Sequence, residues 1–216
     1  MTEPWLASGV IAVVRLKESA GLRDVATALA AGGVAALEIT LTTPGALEAI
    51  AELASQGAEA GSVVGAGTVL DEKSARDVIA AGARFVVSPT LDRSVVRYCR
   101  DKGVACLPGA FSPTELLEAW RAGASLVKLF PASALGPRYL REVLAPLPFL
   151  RVVPSGGVSV DNAGDWIRAG AVAVSVGSAL VRSSVVVGGE AGLTARARTL
   201  VEAVAAARGP LAGAPA

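Results

Sequence analysis

The chain alternates short, unbroken apolar runs with helix-patterned segments, and it does so eight times. The strand-like runs fall at 9–15, 35–40, 62–66, 85–88, 104–107, 126–129, 150–153 and 172–176. They are continuously apolar rather than alternating, the pattern of strands buried on both faces in a parallel sheet. Helical patterning follows at 19–31, 44–53, 72–80, 93–101, 113–120, 137–144, 160–169 and 193–207. Asp71, Asp92, Ser112 and Ser159 stand where N-caps belong. Pro44, Pro113 and Pro137 stand near first turns. Gly32, Gly82, Gly103, Gly123 and Gly170 follow the helices as C-terminal caps do. A small motif recurs at the helix-to-strand turn: Ala81-Gly82-Ala83, Ala122-Gly123-Ala124 and Ala169-Gly170-Ala171.

Eight strand–helix pairs in strict order predict an α/β fold, a single-domain (β/α)8 TIM barrel over 1–207, with a frayed tail at 208–216. An open doubly wound sheet is the alternative. It is disfavoured because no GxGxxG follows the first strand. The composition, 52% hydrophobic and 18% charged, supports a large core and a buried face between subunits.

Charge and residue usage narrow the chemistry. The net charge is +1 with no block of like charges, and aromatics make up 4%, so neither nucleic acid nor a membrane surface is expected as a partner. The two cysteines, Cys99 and Cys106, are too few for a disulfide framework or a zinc site. Histidine is absent, which removes histidine triads and most zinc chemistry. Glu3 precedes the first apolar stretch, unlike a signal peptide, and Arg182 splits the most hydrophobic one. A cytoplasmic location is the expectation, with no metal and no cofactor.

Strand parity then gathers the polar residues. Barrel active sites lie at the C-terminal strand ends, and side chains alternate along a strand. Ala36, Glu38 and Thr40 share the inner face of the second strand, opposite Leu37, Ile39 and Leu41. Lys128 shares the inner face of the sixth with Leu126 and Phe130. Arg15 ends the inner face of the first, after Ile11 and Val13. A lysine within an apolar run loses solvation, which favours the proton-free amine, and that form attacks ketone carbonyls. Two bland readings stand beside this: a lysine that snorkels out at the strand end, and a structural ion network. The loops after strands seven and eight, Pro154-Ser155-Gly156-Gly157-Val158 and Val176-Gly177-Ser178-Ala179, are rich in small residues. That is where this fold usually binds phosphate, through backbone N–H groups and a helix N-terminus.

The order and spacing of several motifs resemble the class I 2-keto-3-deoxy-6-phosphogluconate (KDPG) and 4-hydroxy-2-oxoglutarate (KHG) aldolase family. They are Leu37-Glu38-Ile39-Thr40-Leu41, Gly65-Ala66-Gly67-Thr68-Val69-Leu70, Ser88-Pro89, Pro108-Gly109 with Ser112-Pro113-Thr114-Glu115, Val127-Lys128-Leu129-Phe130-Pro131-Ala132, Pro154-Ser155-Gly156-Gly157 and Gly177-Ser178. The resemblance implies that Lys128 forms the Schiff base and Glu38 is the general acid and base. It puts Thr68 beside the pyruvate carboxylate, Arg15 near the substrate, and Pro89 and Phe130 in the apolar wall. Ser155, Gly156, Gly157, Gly177 and Ser178 become the phosphate loop, and the assembly a homotrimer acting on a small 2-keto acid or its phosphosugar. One departure stands out: Thr42 occupies a substrate-binding position where the family usually has arginine, so a fixed cation on the carboxylate is missing there. Competing readings are a phosphogalactonate aldolase, a phosphate-binding isomerase or decarboxylase with no imine, and a non-catalytic phosphosugar-binding or scaffold protein.

Overall fold

The computed structural model describes residues 4–16, 21–56, 62–181 and 189–208. Nine short strands, all paired in parallel, form sheets of six and three. They are β1 (Val10–Val14), β2 (Ala36–Thr40), β3 (Val63–Gly67), β4 (Phe85–Val87), β5 (Ala105–Leu107), β6 (Gly109–Ala110), β7 (Val127–Leu129), β8 (Val152–Pro154) and β9 (Val174–Val176). The helices between them are α1 (Leu22–Ala31), α2 (Ala46–Ser55), α3 (Glu72–Ala80), α4 (Arg93–Asp101), α5 (Pro113–Arg121), α6 (Gly136–Leu144), α7 (Val160–Arg168) and α8 (Gly189–Arg208).

The two sheets close into one ring. The expected fifth strand runs on past Leu107, and Pro108, which has no N–H to give a ladder, splits it into β5 and β6. Both halves face β7: Cys106 O accepts from Ser125 N–H at 3.1 Å, and Pro108 O accepts from Lys128 N–H at 2.9 Å. On the other side β8 meets β9 through Val172 N–H to Val152 O at 3.1 Å and a single bridge, Ser155 with Ser175. β9 in turn pairs with β1. Counting β5 and β6 as one, the result is the expected eight-stranded α/β barrel.

Parity divides the core as the sequence predicts. Leu37, Ile39, Val127 and Leu129 pack outward against the helices. Ile11, Ala36, Phe85, Val87, Leu107, Leu126, Val153 and Ala173 fill the interior. A 3-10 turn at Pro4–Leu6 plugs the N-terminal mouth, and Trp5 stacks on Phe85 with centroids 4.5 Å apart. Arg208, expected in the tail, is instead the last residue of α8. Its guanidinium donates to Ala7 O at 2.7 Å and Val172 O at 2.9 Å, tying that helix to the plug. Residues 209–216 and Arg182 lie outside the described residues, as do Glu3 and Ser19.

Helix starts follow local chemistry. Asp92 accepts from the N–H groups of Ser94 at 2.8 Å and Val95 at 3.1 Å. The Ser94 hydroxyl and then the Val95 N–H hold its carboxyl below the usual carboxylate range. Ser112 and Glu115 form a capping box. Pro44 lies two residues before the first turn of α2 rather than within it, because Gly45 caps the helix in a left-handed conformation. α8 starts at Gly189, four residues before the sequence pattern suggests, because its leading residues lack apolar periodicity. No helix of the described residues is long and apolar enough to cross a membrane.

Two stability outcomes follow. Trp5→Ala lowers the unfolding free energy by about 3–5 kcal/mol in urea titrations, because it empties the floor of the barrel. Asp92→Ala removes about 1 kcal/mol at neutral pH. Since the folded carboxyl is the stronger acid, that contribution exists above the unfolded value and disappears as pH falls through the folded one.

Candidate active site

Glu38 and Lys128 stand on the second and sixth strands of an eight-membered ring, which places them on opposite walls. Both point inward and meet over the apolar interior, with Lys128 Nζ 3.8 Å from Glu38 Oε1. Glu38 is 1% exposed and Lys128 8%. The lysine does not snorkel into solvent. Its ammonium position also lies 5.2 Å from the centre of the Phe130 ring. Glu38 Oε2 is buried with no hydrogen-bond partner, so the carboxyl is held by one long contact and has acceptor capacity to spare.

Neighbouring strands make room for this pair. β3 reads Val63-Val64-Gly65-Ala66-Gly67: Val63 packs on the interior cluster, and the two inward positions above it are both glycine. A Cβ on Gly65 would fall 2.5 Å from the Phe85 ring, and one on Gly67 would fall 2.7 Å from Glu38 Cγ. Thr68, the next residue, adopts φ 61. A β-branched side chain carries about 1–3 kcal/mol of strain in that left-handed region, a cost common where a group must be aimed at a ligand.

Above the pair opens a cavity of about 330 Å3 at the C-terminal ends of the strands. Its lining brings together Arg15, Glu38, Thr68, Pro89, Lys128, Phe130, Ser155, Gly156, Gly157, Gly177 and Ser178. Gly156 and Gly157 both take left-handed φ, 84 and 81. Two such residues in a row turn the loop without a side chain, and a Cβ on Gly157 would fall 2.5 Å from Ser133 Cβ. The loop is stitched to the chain after Lys128: Ser155 O accepts from Ala132 N–H and Gly156 O from Ser133 N–H, each at 2.8 Å. Ser159 opens α7 at the cavity rim, so the helix N-terminus faces the same space. Ser155 sits deeper than a loop hydroxyl, 5% exposed, and donates to Ser175 Oγ at 3.3 Å.

Thr42 is the sequence-predicted residue that the structure leaves out of the cavity lining. Its hydroxyl lies 3.1 Å from Thr40 Oγ1 instead. Thr40 is fully buried and also contacts Thr43 Oγ1 at 3.3 Å, so this hydroxyl cluster ends β2. Sequence reasoning missed Val13, Val158, Ser159, Ala179 and Val181. Val13 was legible from parity with Arg15, and Val158 and Ala179 end the two small-residue runs, whereas Ser159 and Val181 belong to helical turns just beyond them. Among the described residues, no group of three or more His, Cys, Asp or Glu is placed to hold a metal ion.

Comparison with known proteins accords with this geometry. A profile of the family described as "Aldolase: KDPG and KHG aldolase" matches residues 5–194. A 2-dehydro-3-deoxy-phosphogluconate aldolase of Treponema pallidum is 38% identical over 182 residues, covering 84% of this chain and 86% of its own. A probable 2-dehydro-3-deoxy-6-phosphogalactonate aldolase of Rhizobium meliloti is 38% identical over 180 residues, covering 83% and 84%. The crystal structure of a KDPG aldolase from Legionella pneumophila, with pyruvate captured as a covalent carbinolamine, superposes with a TM-score of 0.77 at 32% identity, covering 95% of this chain and 98% of that one.

The ion pair has a signature in stability. Removing one partner leaves the other buried alone, so Lys128→Met is expected to lose about 3–5 kcal/mol in urea unfolding. Combining it with Glu38→Leu should recover that loss; a double variant no more stable than Lys128→Met would contradict a paired burial.

Proposed function

The chain belongs to the KDPG and KHG aldolase family, and we propose that it is a class I aldolase acting through Lys128 and Glu38. The observation that carries this reading is an inward lysine 3.8 Å from an inward glutamate beneath a cavity with glycine loops on one wall. The neutral Lys128 amine adds to the C2 ketone of the substrate, and loss of water from the carbinolamine gives an iminium. Its positive charge draws electrons from the C3–C4 bond. Glu38 takes the C4 hydroxyl proton, directly or through a water, as that bond breaks and the aldehyde leaves. The protonated Glu38 then returns a proton to C3 of the enamine, and water releases pyruvate and regenerates the lysine. The iminium itself serves as the electron sink, so these steps require neither metal nor organic cofactor.

We assign the remaining positions as the family resemblance implies, all of them among the residues that line the cavity. Thr68 and Arg15 take the carboxylate end, with Arg15 the guanidinium among the described residues that line the cavity. Pro89 and Phe130 wall the reacting carbons. Ser155, Gly156, Gly157, Gly177 and Ser178, with the α7 N-terminus, take the phosphate. This suits 2-keto-3-deoxy-6-phosphogluconate, giving pyruvate and glyceraldehyde 3-phosphate. The shorter 4-hydroxy-2-oxoglutarate, giving pyruvate and glyoxylate, fits the same imine chemistry. The Rhizobium meliloti relative favours the C4 epimer, 2-keto-3-deoxy-6-phosphogalactonate, as a second substrate reading. The same reading makes the enzyme a cytoplasmic homotrimer. Phe111 and Phe149 stand 41% and 50% exposed, apolar area of the kind a subunit contact covers. Cys99 and Cys106 are free thiols, as in a reducing compartment.

Borohydride added with pyruvate should leave a stable adduct on Lys128, found by peptide mass mapping, and Lys128→Ala should lose both adduct and turnover. Labelling that persists in the alanine variant refutes the lysine. Glu38→Gln should retain trapping yet lose about 100-fold or more in cleavage. Assaying KDPG, its galactonate epimer and 4-hydroxy-2-oxoglutarate side by side ranks the substrates.

A further inference from the structure

We propose that Gly67 is a positioning residue for the acid–base step, its missing side chain being the slot that holds the Glu38 carboxyl against Lys128. The inference rests on the assignment of Glu38 as the acid–base group and extends it to a residue that touches no substrate. Gly67 is the last residue of β3 and lies in register with Thr40 of β2, one inward position beyond Glu38. Side chains lean along their strand, so Glu38 leans across the face of Gly67. A Cβ there would stand 2.7 Å from Glu38 Cγ and 2.8 Å from Cδ, and closer still to Oε1. Because Cγ and Cδ are both struck, turning the carboxyl about its last bond brings no relief. The whole side chain has to move, and it is 1% exposed, so its new position comes at the expense of the 3.8 Å approach to Lys128.

A structural need for glycine here can be separated from a positional one. Gly67 is not among the residues with left-handed φ, so alanine suits its backbone. Gly65, one inward step earlier, faces the Phe85 ring rather than the carboxyl. Its glycine serves packing, whereas that of Gly67 serves the position of Glu38. The slot acts on proton transfer, while the lysine that forms the imine lies across the ring.

Two readouts resolve these roles: borohydride trapping of pyruvate on Lys128, and exchange of the pyruvate C3 protons in deuterated water by NMR. Gly67→Ala should still be trapped on Lys128 while C3 exchange falls about 100-fold or more, the usual worth of general acid–base catalysis. In a Glu38→Ala background, adding Gly67→Ala should change exchange by no more than about twofold, since the group it displaces is gone. Exchange at the parent rate in Gly67→Ala overturns the inference, as does a further loss in the Glu38→Ala background. Parent-rate exchange in Glu38→Ala alone instead refutes the acid–base assignment beneath it. Should Gly67→Ala fail to fold, the Glu38→Ala/Gly67→Ala pair is expected to be as stable in urea as Glu38→Ala alone, because the slot is vacated. A double variant less stable than Glu38→Ala alone overturns the proposal.

Discussion

The barrel has to close over two charged side chains without leaving either alone, and the remainder of the interior is arranged around that requirement. Glu38 and Lys128 reach each other because they project from opposite walls, and because the strand beside Glu38 gives up its own side chains. β3 contributes glycine at its last two inward positions, and its flanking strands fill the space: Phe85 from β4 at Gly65, the glutamate from β2 at Gly67. Below that level Trp5 stacks on Phe85, so the charged pair rests on a packed apolar floor. Polar chemistry is thereby confined to one end of the ring. The low-dielectric floor strengthens any interaction between the two groups above it.

Much of this was legible in the chain. Continuous apolar runs gave the parallel ring, and period-two parity put Ala36 inside with Glu38, and Leu126 inside with Lys128. Caps such as Asp92 and Ser112 could be read because their side chains act within four residues of themselves. What escaped were features set by contacts distant in sequence. The break of the fifth strand at Pro108 shows only when its ladder with β7 is present. The contact of Thr42 with Thr40, which in turn meets Thr43, is a hydroxyl cluster that spacing does not announce. Ser155, read as a loop hydroxyl, turns inward because its partner Ser175 lies on the next strand of the ring. Ala179 and Val181 enter the lining from a helical turn at 178–181 that follows β9, which the strand pattern does not announce.

The place where the ring joins is thin. β8 and β9 share a single bridge at Ser155 and Ser175, a serine pair at 3.3 Å, and the Val172-to-Val152 hydrogen bond, whereas β2 and β3 pair along their whole length. The two glycine loops of the cavity spring from those same strands, one on each side of the join. A molecule gripped by both loops therefore acts as mortar. It couples occupancy to closure, and by linkage the barrel resists opening more firmly as its ligand concentration rises above the dissociation constant. This thin seam of the scaffold and the rim of the cavity are one structure, so a guest held by both loops would complete the wall it rests against.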